Sequence, residues 1–596
     1  MKTVAAIVSL FLGVAMANAQ KPSIHYTLGM SRPSTHLFEV EVRVGDLPSG
    51  DKDLELVMPA WRSGRYVIFD FAGSVQEFSA SDDRGNALSW MKTDKGTWRI
   101  ERGKTATIVA KYLVYANEFG DRTKGLNDEH AFVDPATTFM FLGKYKRNPL
   151  TATIIPFGDW HVTTGLEEVE GKKNEFSAPT YEYFADCPIE VGMQKDYAFD
   201  VDGTHHVLMV AGETNLDVQQ AILDLTKLVK ANKEFWGRLP YTRYIFMLET
   251  YPNMGGGTEH INSTIMQTSP FGFTNPDRYK GFIGLVSHEY FHTWNVKQLR
   301  PKGITPYDYT KEAYVKELWV AEGTTSYYGD LLMVRTGFTQ PQDYLNRVAS
   351  GVQGDRMRPG NKIQSVTESS FDAWVKYWRG QQNSYNSESD YYDKGLHVSL
   401  ILDLAIRHTS GNKHSLDDVM RAMFERYPLG TGYTVDDLQQ VSEEMAGGSL
   451  KEFFADYVHG TTPIPWEDLL SYAGLRLEKK DAPVKPWLGV NTRDQGGTAQ
   501  VWSVIAGSPA YDAGINVNDE ILALNGFRVR TNDIGNRIGE MKAGDTIRLT
   551  VFRNERLREF SVVLRNPDVP AYQITKTSNP SDLQKKIYQD WLKTNW

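Results

Sequence analysis

The sequence predicts a multidomain α+β protein with a β-sandwich-like N-terminal domain, a mainly α middle domain and a β-rich C-terminal domain. The chain has 596 residues, which exceeds what one hydrophobic core supports, so we expect about three or four domains. Apolar and polar residues alternate in the first third, as is typical of strands. The middle of the chain shows a helical period, and strand-like segments return near the end.

The N-terminal domain is predicted over residues 20–190. Alternating segments occur at 37–44, 97–101 and 107–115, and each places apolar side chains on one face of an extended chain. Turn-forming residues such as Asp83-Arg84-Gly85-Asn86 separate them.

The first residues have the features of an export signal. Met1-Lys2 supplies a positive charge, an apolar run follows over residues 4–16, and Ala17-Asn18-Ala19 matches an A-x-A cleavage site. We therefore predict a signal peptide over residues 1–19, cleaved after about Ala19, and a secreted or periplasmic protein. The single cysteine, Cys187, rules out an internal disulfide and fits a bacterial periplasm.

The composition narrows the expected partners. Lys and Arg number 65 and Asp and Glu number 74, so the protein is mildly acidic and has no basic tract for nucleic acid or anionic lipid. Beyond the signal, no apolar stretch reaches the length of a membrane span, so we expect none in the mature chain.

The middle domain is predicted over residues 191–475 and carries a helical period. The predicted helices span residues 219–236, 280–296, 314–335, 392–407 and 415–424. A charged, proline-bearing segment at 476–486 is predicted as a linker.

The strongest chemical signal lies in the second of these helices. His288 and His292 are four positions apart, so both imidazoles lie on one helix face and can bind one ion. Glu289 follows the first histidine, which completes the HExxH pattern of zinc peptidases. In that chemistry Zn²⁺ is held by the histidines, and the glutamate is the general base that activates water.

A catalytic zinc site needs a third protein ligand. Glu322 is the preferred candidate, because the apolar residues Leu318, Trp319 and Val320 before it indicate an inward-facing helix. Glu312 and Glu317 compete with it by position alone.

Two further segments offer residues for substrate binding. Three glycines precede Glu259 in the segment 253–260; their amides suit a peptide backbone, and Glu259 suits a cationic amine. The alternative is a flexible turn with a solvated glutamate. Tyr392 opens a later helix, where its hydroxyl could stabilise an oxyanion or simply pack.

The order of these motifs resembles that of the gluzincin aminopeptidases. The resemblance implies a thermolysin-like catalytic domain in which Glu259 binds the free N-terminus and Tyr392 supports the oxyanion. Gly256 and Gly257 would line the substrate backbone. Thr258 and His260 depart from the usual family residues, which leaves the neighbouring substrate contacts open.

A narrower resemblance comes from the segment after the HExxH motif. The separation of 29 residues between His292 and Glu322 is longer than in the large aminopeptidase family. The segment Thr293-Trp294-Asn295-Val296-Lys297, with Arg300-Pro301, resembles the bacterial glycyl aminopeptidases. That family also has a β-rich N-terminal domain and a C-terminal PDZ domain.

The C-terminal region carries PDZ-like segments. Pro486-Trp487-Leu488-Gly489-Val490 resembles the carboxylate-binding loop, and residues 504–510 and 513–526 match the next strand and turn segments. We predict a β-barrel-like PDZ domain over residues 487–570, followed by a tail at 571–596. Such domains bind protein or peptide C-termini by strand addition; the alternative is an appendage with an empty groove.

The combined resemblance implies a zinc aminopeptidase that releases small N-terminal residues, glycine and alanine, from peptides with a free N-terminus. Two alternatives stay open at this point. One is a periplasmic zinc endopeptidase or oligopeptidase with the same metal site, and the other is a non-catalytic PDZ-bearing peptide-binding protein.

Overall fold

The computed structural model describes residues 21–120, 122–481 and 483–596. The signal peptide predicted at residues 1–19 lies outside these ranges and stays a prediction. None of the helices in the described ranges combines the length and the apolarity that a membrane span requires.

The N-terminal domain is β-rich, as predicted. Its described residues form three sheets with the strand orders β14-β15-β12-β1-β2-β7-β4, β11-β3-β6-β5 and β13-β16-β10-β9-β8. The strands are β1 (Ser23–Gly29), β2 (Leu37–Gly45), β3 (Asp53–Val57), β4 (Val75–Ser81), β5 (Trp90–Lys92), β6 (Thr97–Glu101), β7 (Ile108–Tyr115), β8 (Asn117–Glu118), β9 (Lys124–Leu126), β10 (His130–Val133), β11 (Phe141–Leu142), β12 (Leu150–Ile155), β13 (His161–Thr164), β14 (Glu167–Glu168), β15 (Glu175–Ala178) and β16 (Ile189–Gly192). Two short helices are α1 (Pro135–Thr138) and α2 (Tyr181–Ala185).

Alternation along β2 explains how this domain forms. Phe38, Val40, Val42 and Val44 are at most 3% exposed, whereas the residues between them are more exposed. The apolar face therefore packs into the core.

The middle domain contains a sheet in addition to its helices, so it is less purely α than predicted. The sheet order is β17-β18-β19-β21-β20. The strands are β17 (Lys195–Val201), β18 (Thr204–Gly212), β19 (Arg243–Thr250), β20 (Gly256–Glu259) and β21 (Ser263–Thr268). Strands β18, β19 and β21 run parallel and are buried, so their sequences lack the alternation that marks a half-exposed strand.

The middle domain contains the five predicted helices with shifted ends and six that were not predicted, which gives eleven α-helices in all. They are α3 (Val218–Trp236), α4 (Pro276–Phe291), α5 (Thr325–Arg335), α6 (Pro341–Met357), α7 (Val366–Phe371), α8 (Ser384–Ser387), α9 (Asp393–Thr409), α10 (Leu416–Arg426), α11 (Val435–Ala446), α12 (Lys451–Phe453) and α13 (Trp466–Ser471). Two π-helical segments lie at Trp319–Thr324 and Phe454–Val458. One continuous apolar core joins this domain to the N-terminal domain.

The C-terminal sheet has its own hydrophobic core, separate from that of the other two domains. Its strands follow the order β23-β24-β25-β27-β28, with β26 paired to β25. The elements are β23 (Val490–Gln495), β24 (Thr498–Val504), α14 (Pro509–Asp512), β25 (Glu520–Leu524), β26 (Phe527–Arg528), α15 (Thr531–Gly539), β27 (Thr546–Arg553) and β28 (Arg556–Val563).

The segments that flank this sheet, predicted as a linker at 476–486 and a C-terminal tail at 571–596, both contain secondary structure. Strand β22 (Leu475–Lys479) pairs antiparallel with β29 (Tyr572–Lys576), and helix α16 (Asp582–Leu592) follows. Trp591 of α16 is fully buried, and its Nε1 donates to the Tyr327 hydroxyl at 2.9 Å. The C-terminal sheet is therefore inserted into the middle domain, between two strands that pair with each other.

Candidate active site

Helix α4 presents the two histidines of the HExxH motif to one point. The helix begins after Asn275, whose side chain accepts from the backbone amides of Asp277 and Arg278. It ends with His292 as its C-cap. The Nε2 atoms of His288 and His292 lie 3.1 Å apart.

Glu322, the preferred third ligand, forms a three-residue cluster with the two histidines. Its Oε2 lies 3.2 Å from His292 Nε2 and 3.9 Å from His288 Nε2. Ligands about 2.1 Å from a tetrahedral zinc ion stand about 3.4 Å from one another, so these spacings fit the metal. Burial lowers the pKa of His292, but the Glu322 carboxylate outweighs burial and raises it to about 9. The negative charge of Glu322 therefore favours a positive charge beside His292.

A backbone contact sets the tautomer of the second histidine. The Asn295 carbonyl lies 2.9 Å from His292 Nδ1, so the proton resides there and Nε2 is left as the ligand. The Asn295 side chain donates to the Val320 carbonyl at 2.8 Å and to the Thr325 hydroxyl at 3.0 Å. Asn295 thereby links the histidine helix to the segment that carries Glu322.

The competing ligands lie elsewhere. Glu317 accepts from the backbone amides of Lys316 and Val435, so its carboxylate is engaged away from the histidines. Among the described residues, the cluster around His288 and His292 contains neither Glu312 nor Glu317.

Close backbone packing brings Glu322 and Tyr392 to the same place. A methyl group on Gly323 would lie 2.5 Å from the Gly395 Cα, so only glycine allows this approach. Glu322 lies in the π-helical turn of 319–324, a local widening that often occurs at functional sites.

The Tyr392 side chain is half-buried beside this cluster. Its ring stacks on Tyr391 and Tyr377, with centroids 4.9 Å and 5.4 Å away. Burial and the Glu322 carboxylate raise the pKa of Tyr392 well above its usual value. The hydroxyl therefore stays protonated and can donate a hydrogen bond. Tyr391, in contrast, is fully buried and accepts a hydrogen bond from Trp378 Nε1 at 3.0 Å.

Glu289 faces the glycine-rich strand. A methyl group on Gly257 would lie 2.7 Å from the Glu289 side chain, so the glycine allows the carboxylate to lie against the strand. Burial raises the pKa of Glu289 to about 8. A carboxylate with a raised pKa is suited to accept a proton near neutral pH.

Glu259 ends the edge strand β20 and faces the cluster of candidate metal ligands formed by His288, His292 and Glu322. Its carboxylate lies within 4.8 Å of ligand atoms of both Glu289 and His292. The sequence places Glu259 in a loop or turn, whereas the structure places it in a strand and only 4% exposed. The reading as a solvated turn is therefore wrong.

A buried lysine holds Glu259 in its charged form. Lys297 Nζ lies 3.8 Å from Glu259 and 2.8 Å from Asp186, and it is fully buried. Burial opposes ionisation, but Lys297 and then His292 and Arg62 lower the pKa of Glu259 to about 2. Sequence reasoning assigned no role to Lys297 or Asp186, although Lys297 lies in the segment that carries the family resemblance.

The residues around Glu259 also have defined contacts. His260 Nδ1 lies 3.3 Å from Asp186, so this departure from the usual family residue joins the same buried network. Thr258 Oγ1 donates to the Gly257 carbonyl at 2.8 Å. Arg122, from the N-terminal domain, donates to the same carbonyl at 2.7 Å. Gly256 is exposed at the open edge of the strand.

Comparisons with known families match three parts of the chain. The M61 glycyl aminopeptidase model matches residues 281–398, the model of the peptidase M61 N-terminal domain matches residues 25–193, and that of the PDZ domain matches residues 486–564. No curated protein matches the chain.

One solved structure is similar over nearly the whole chain, and two others match part of it. An aminopeptidase N family protein from Idiomarina loihiensis is 26% identical, covers 95% of this chain and 100% of its own, and gives a TM-score of 0.88. An M1 zinc metallopeptidase from Deinococcus radiodurans is 14% identical, covers 75% of this chain and 95% of its own, and gives 0.46. Yeast LTA4 hydrolase in complex with bestatin is 13% identical, covers 75% of this chain and 67% of its own, and gives 0.44.

Proposed function

Since the chain belongs to the M61 glycyl aminopeptidase family of metallopeptidases and has a C-terminal PDZ domain, we propose that it is a zinc-dependent aminopeptidase that releases small N-terminal residues from peptides. The observation that carries the proposal is the position of Glu259. A charged, buried carboxylate within 4.8 Å of Glu289 and His292 suits the ammonium group of a substrate whose first peptide bond lies at the metal site.

His288, His292 and Glu322 would hold the metal. Zinc bound there would supply a Lewis acid that polarises the scissile carbonyl and lowers the pKa of water. The spacing of the three ligand atoms and the tautomer fixed by Asn295 both fit this ion.

The remaining groups have separate roles in the proposed reaction. Glu289 takes a proton from the attacking water and returns it to the leaving amine, because its raised pKa allows both transfers. The Tyr392 hydroxyl donates a hydrogen bond to the oxyanion, since its proton is retained. Glu259 fixes the free amine and so sets which bond is cut.

A preference for glycine and alanine is supported by the crowding around Glu259. A methyl group on Gly64 would lie 3.0 Å from Glu259 Oε1, so the segment that contains Gly64 lies directly against this carboxylate. Tyr66, in the same segment, is only 2% exposed, and its pKa is raised by burial and by the carboxylates of Glu322 and Glu259. Its ring packs on Trp374 with centroids 5.7 Å apart. We therefore expect a small first side chain to be favoured at this position.

The test is a panel of aminoacyl-p-nitroanilides from glycine to leucine. We expect the highest kcat/KM for glycine and alanine, loss of activity on chelation and recovery with zinc. Glu289→Gln should lower kcat by about 100-fold or more while the metal content stays at one per chain. Activity that survives chelation, or a Glu289→Gln enzyme with an unchanged rate, would reject the proposal.

We also keep export and peptide binding by the PDZ domain as proposals. Export rests on the predicted signal at residues 1–19, and N-terminal sequencing of the mature protein should begin at about Gln20. The PDZ proposal rests on the loop at 486–490, and its ligands should bind as free acids but not as C-terminal amides. A mature protein that begins at Met1 would contradict the export proposal. Equal binding of the acid and the amide would contradict the PDZ proposal.

A further inference from the structure

A cavity of about 380 Å³ lies beside the open edge of the glycine-rich strand. Gly255 and Gly256 line one end of it, and Phe271, Phe282 and Leu285 form apolar walls. Leu285 lies one helical turn before Glu289 on α4, so the cavity continues the active site along the outside of that helix.

Arg278 gives this cavity a charge. Of the described residues that line it, Arg278 alone is charged, and no carboxylate lies among them. Its side chain rests against the turn at Gly272, where a methyl group would lie 3.0 Å from Arg278 Cδ and 3.1 Å from Nη1. Arg278 is exposed, and its guanidinium is the charged group that a carboxylate entering this cavity would meet.

The direction of the substrate follows from the edge strand. Glu259 lies at the end of β20 and Gly256 at its start, at the edge of the sheet. In the proposed reaction the free amine is at Glu259, so the peptide would extend toward Gly256. The substrate therefore pairs antiparallel to β20, with its C-terminal side directed toward the cavity.

The distance between His288 and Arg278 along α4 sets the expected substrate length. His288 lies ten positions after Arg278, which corresponds to about 15 Å along α4. An extended peptide advances about 3.3 Å per residue, so this distance spans about four residues beyond the cleaved bond.

We propose that Arg278 binds the C-terminal carboxylate of short peptide substrates, and that the enzyme favours peptides of about four or five residues. This inference rests on the proposed aminopeptidase function, because that function fixes where the substrate begins. The carboxylate lies far from the cleaved bond, so Arg278 contributes to substrate binding and lowers KM without changing kcat.

The test compares alanine peptides of two to eight residues as free acids and as C-terminal amides. In the native enzyme the amide should show a KM about five- to tenfold higher at four or five residues, and little difference at two or eight. Arg278→Ala should bring the ratio of the amide KM to the acid KM close to one. Arg278→Lys should restore part of the difference between the two KM values.

Lys280→Ala is the matched control. Lys280 lies two residues further along α4, outside the cavity lining, with its Nζ 3.9 Å from Asp343. This variant should keep the native ratio. Acid and amide cleaved equally by the native enzyme, or an unchanged ratio in Arg278→Ala, would overturn the inference. Failure of the proposed function has a different signature, because it appears as cleavage at another bond whatever the C-terminal group.

Discussion

Glu289 and Glu259 are two buried carboxylates on neighbouring elements, and their surroundings give them opposite properties. Burial raises the pKa of Glu289 to about 8, whereas Lys297 overcomes burial and lowers the pKa of Glu259 to about 2. One carboxylate can therefore exchange a proton near neutral pH, and the other keeps its charge for an ammonium ion.

This contrast predicts an acid limb in the pH profile. Glu289 acts as a base only when deprotonated, so kcat/KM should fall as the pH drops through its pKa. Burial raises that pKa toward about 8 and a bound cation lowers it, so the limb should lie between 4.5, the ordinary value, and about 8. Glu259 stays ionised across this range. A profile of kcat/KM that stays flat down to pH 4.5 would contradict this assignment.

At the scale of elements, three segments that are distant in sequence meet at the candidate metal ligands. Helix α4 supplies the histidines, the π-helical turn at 319–324 supplies Glu322, and the start of α9 supplies Tyr392. The contact between Gly323 and Gly395 fixes the last two relative to each other.

Gly323→Ala tests this contact. The added methyl group would collide with backbone atoms of Gly395, which cannot rotate away as a side chain can. We expect a loss of stability of about 1–3 kcal/mol, together with weaker zinc binding because Glu322 is displaced. Thermal unfolding and metal titration measure the two effects. Gly354→Ala is the matched control, since its added methyl group meets no described atom within 4 Å. Native metal affinity in Gly323→Ala would refute the role of this contact.

The sequence predicts the site best where its residues are close together. The i and i+4 spacing of His288 and His292 fixes their common face, so these residues needed no tertiary information. Lys297 and Asp186 are far apart in sequence, and their ion pair depends on docking between domains. Arg122 reaches Gly257 from the N-terminal domain for the same reason.

At the scale of the whole molecule, the PDZ domain is an insertion in the middle domain. Lys479 of β22 lies opposite Tyr572 of β29, so the chain leaves and re-enters at one place. The inserted domain has a separate core and touches the middle domain through Asn386, which bonds the backbone of Val504 and Ala506 at 2.8 Å each.

This arrangement predicts opposite outcomes for two deletions. Replacing residues 481–570 by a short Asn-Gly turn should leave a folded protein that cleaves alanine p-nitroanilide at about the native rate. Removing residues 571–596 should abolish folding or lower stability by about 3–5 kcal/mol, because it deletes the buried Trp591. Thermal unfolding and kcat/KM report both. A stable, active enzyme without residues 571–596 would contradict the packing of α16.

The architecture was predictable in outline from local patterns, and the insertion was not. Alternation in β2 and the helical period of α3 and α9 are local signals, and both led to the right element. The pairing of β22 with β29 joins segments that flank a whole domain, so no local pattern reveals it. The charged composition at 476–486 matches a linker even though its first residues form a strand.

The central claim is that Glu259 makes this metallopeptidase an aminopeptidase. The most direct test measures kcat/KM for alanine p-nitroanilide and its N-acetylated form with the native enzyme, Glu259→Gln and the control Glu317→Gln. Glu317 is a buried carboxylate that does not belong to the group of candidate metal ligands. We predict a preference of about 100-fold or more for the free amine, reduced about 10- to 100-fold by Glu259→Gln and retained in the control. Equal cleavage of the two substrates by the native enzyme would contradict the account and favour an endopeptidase.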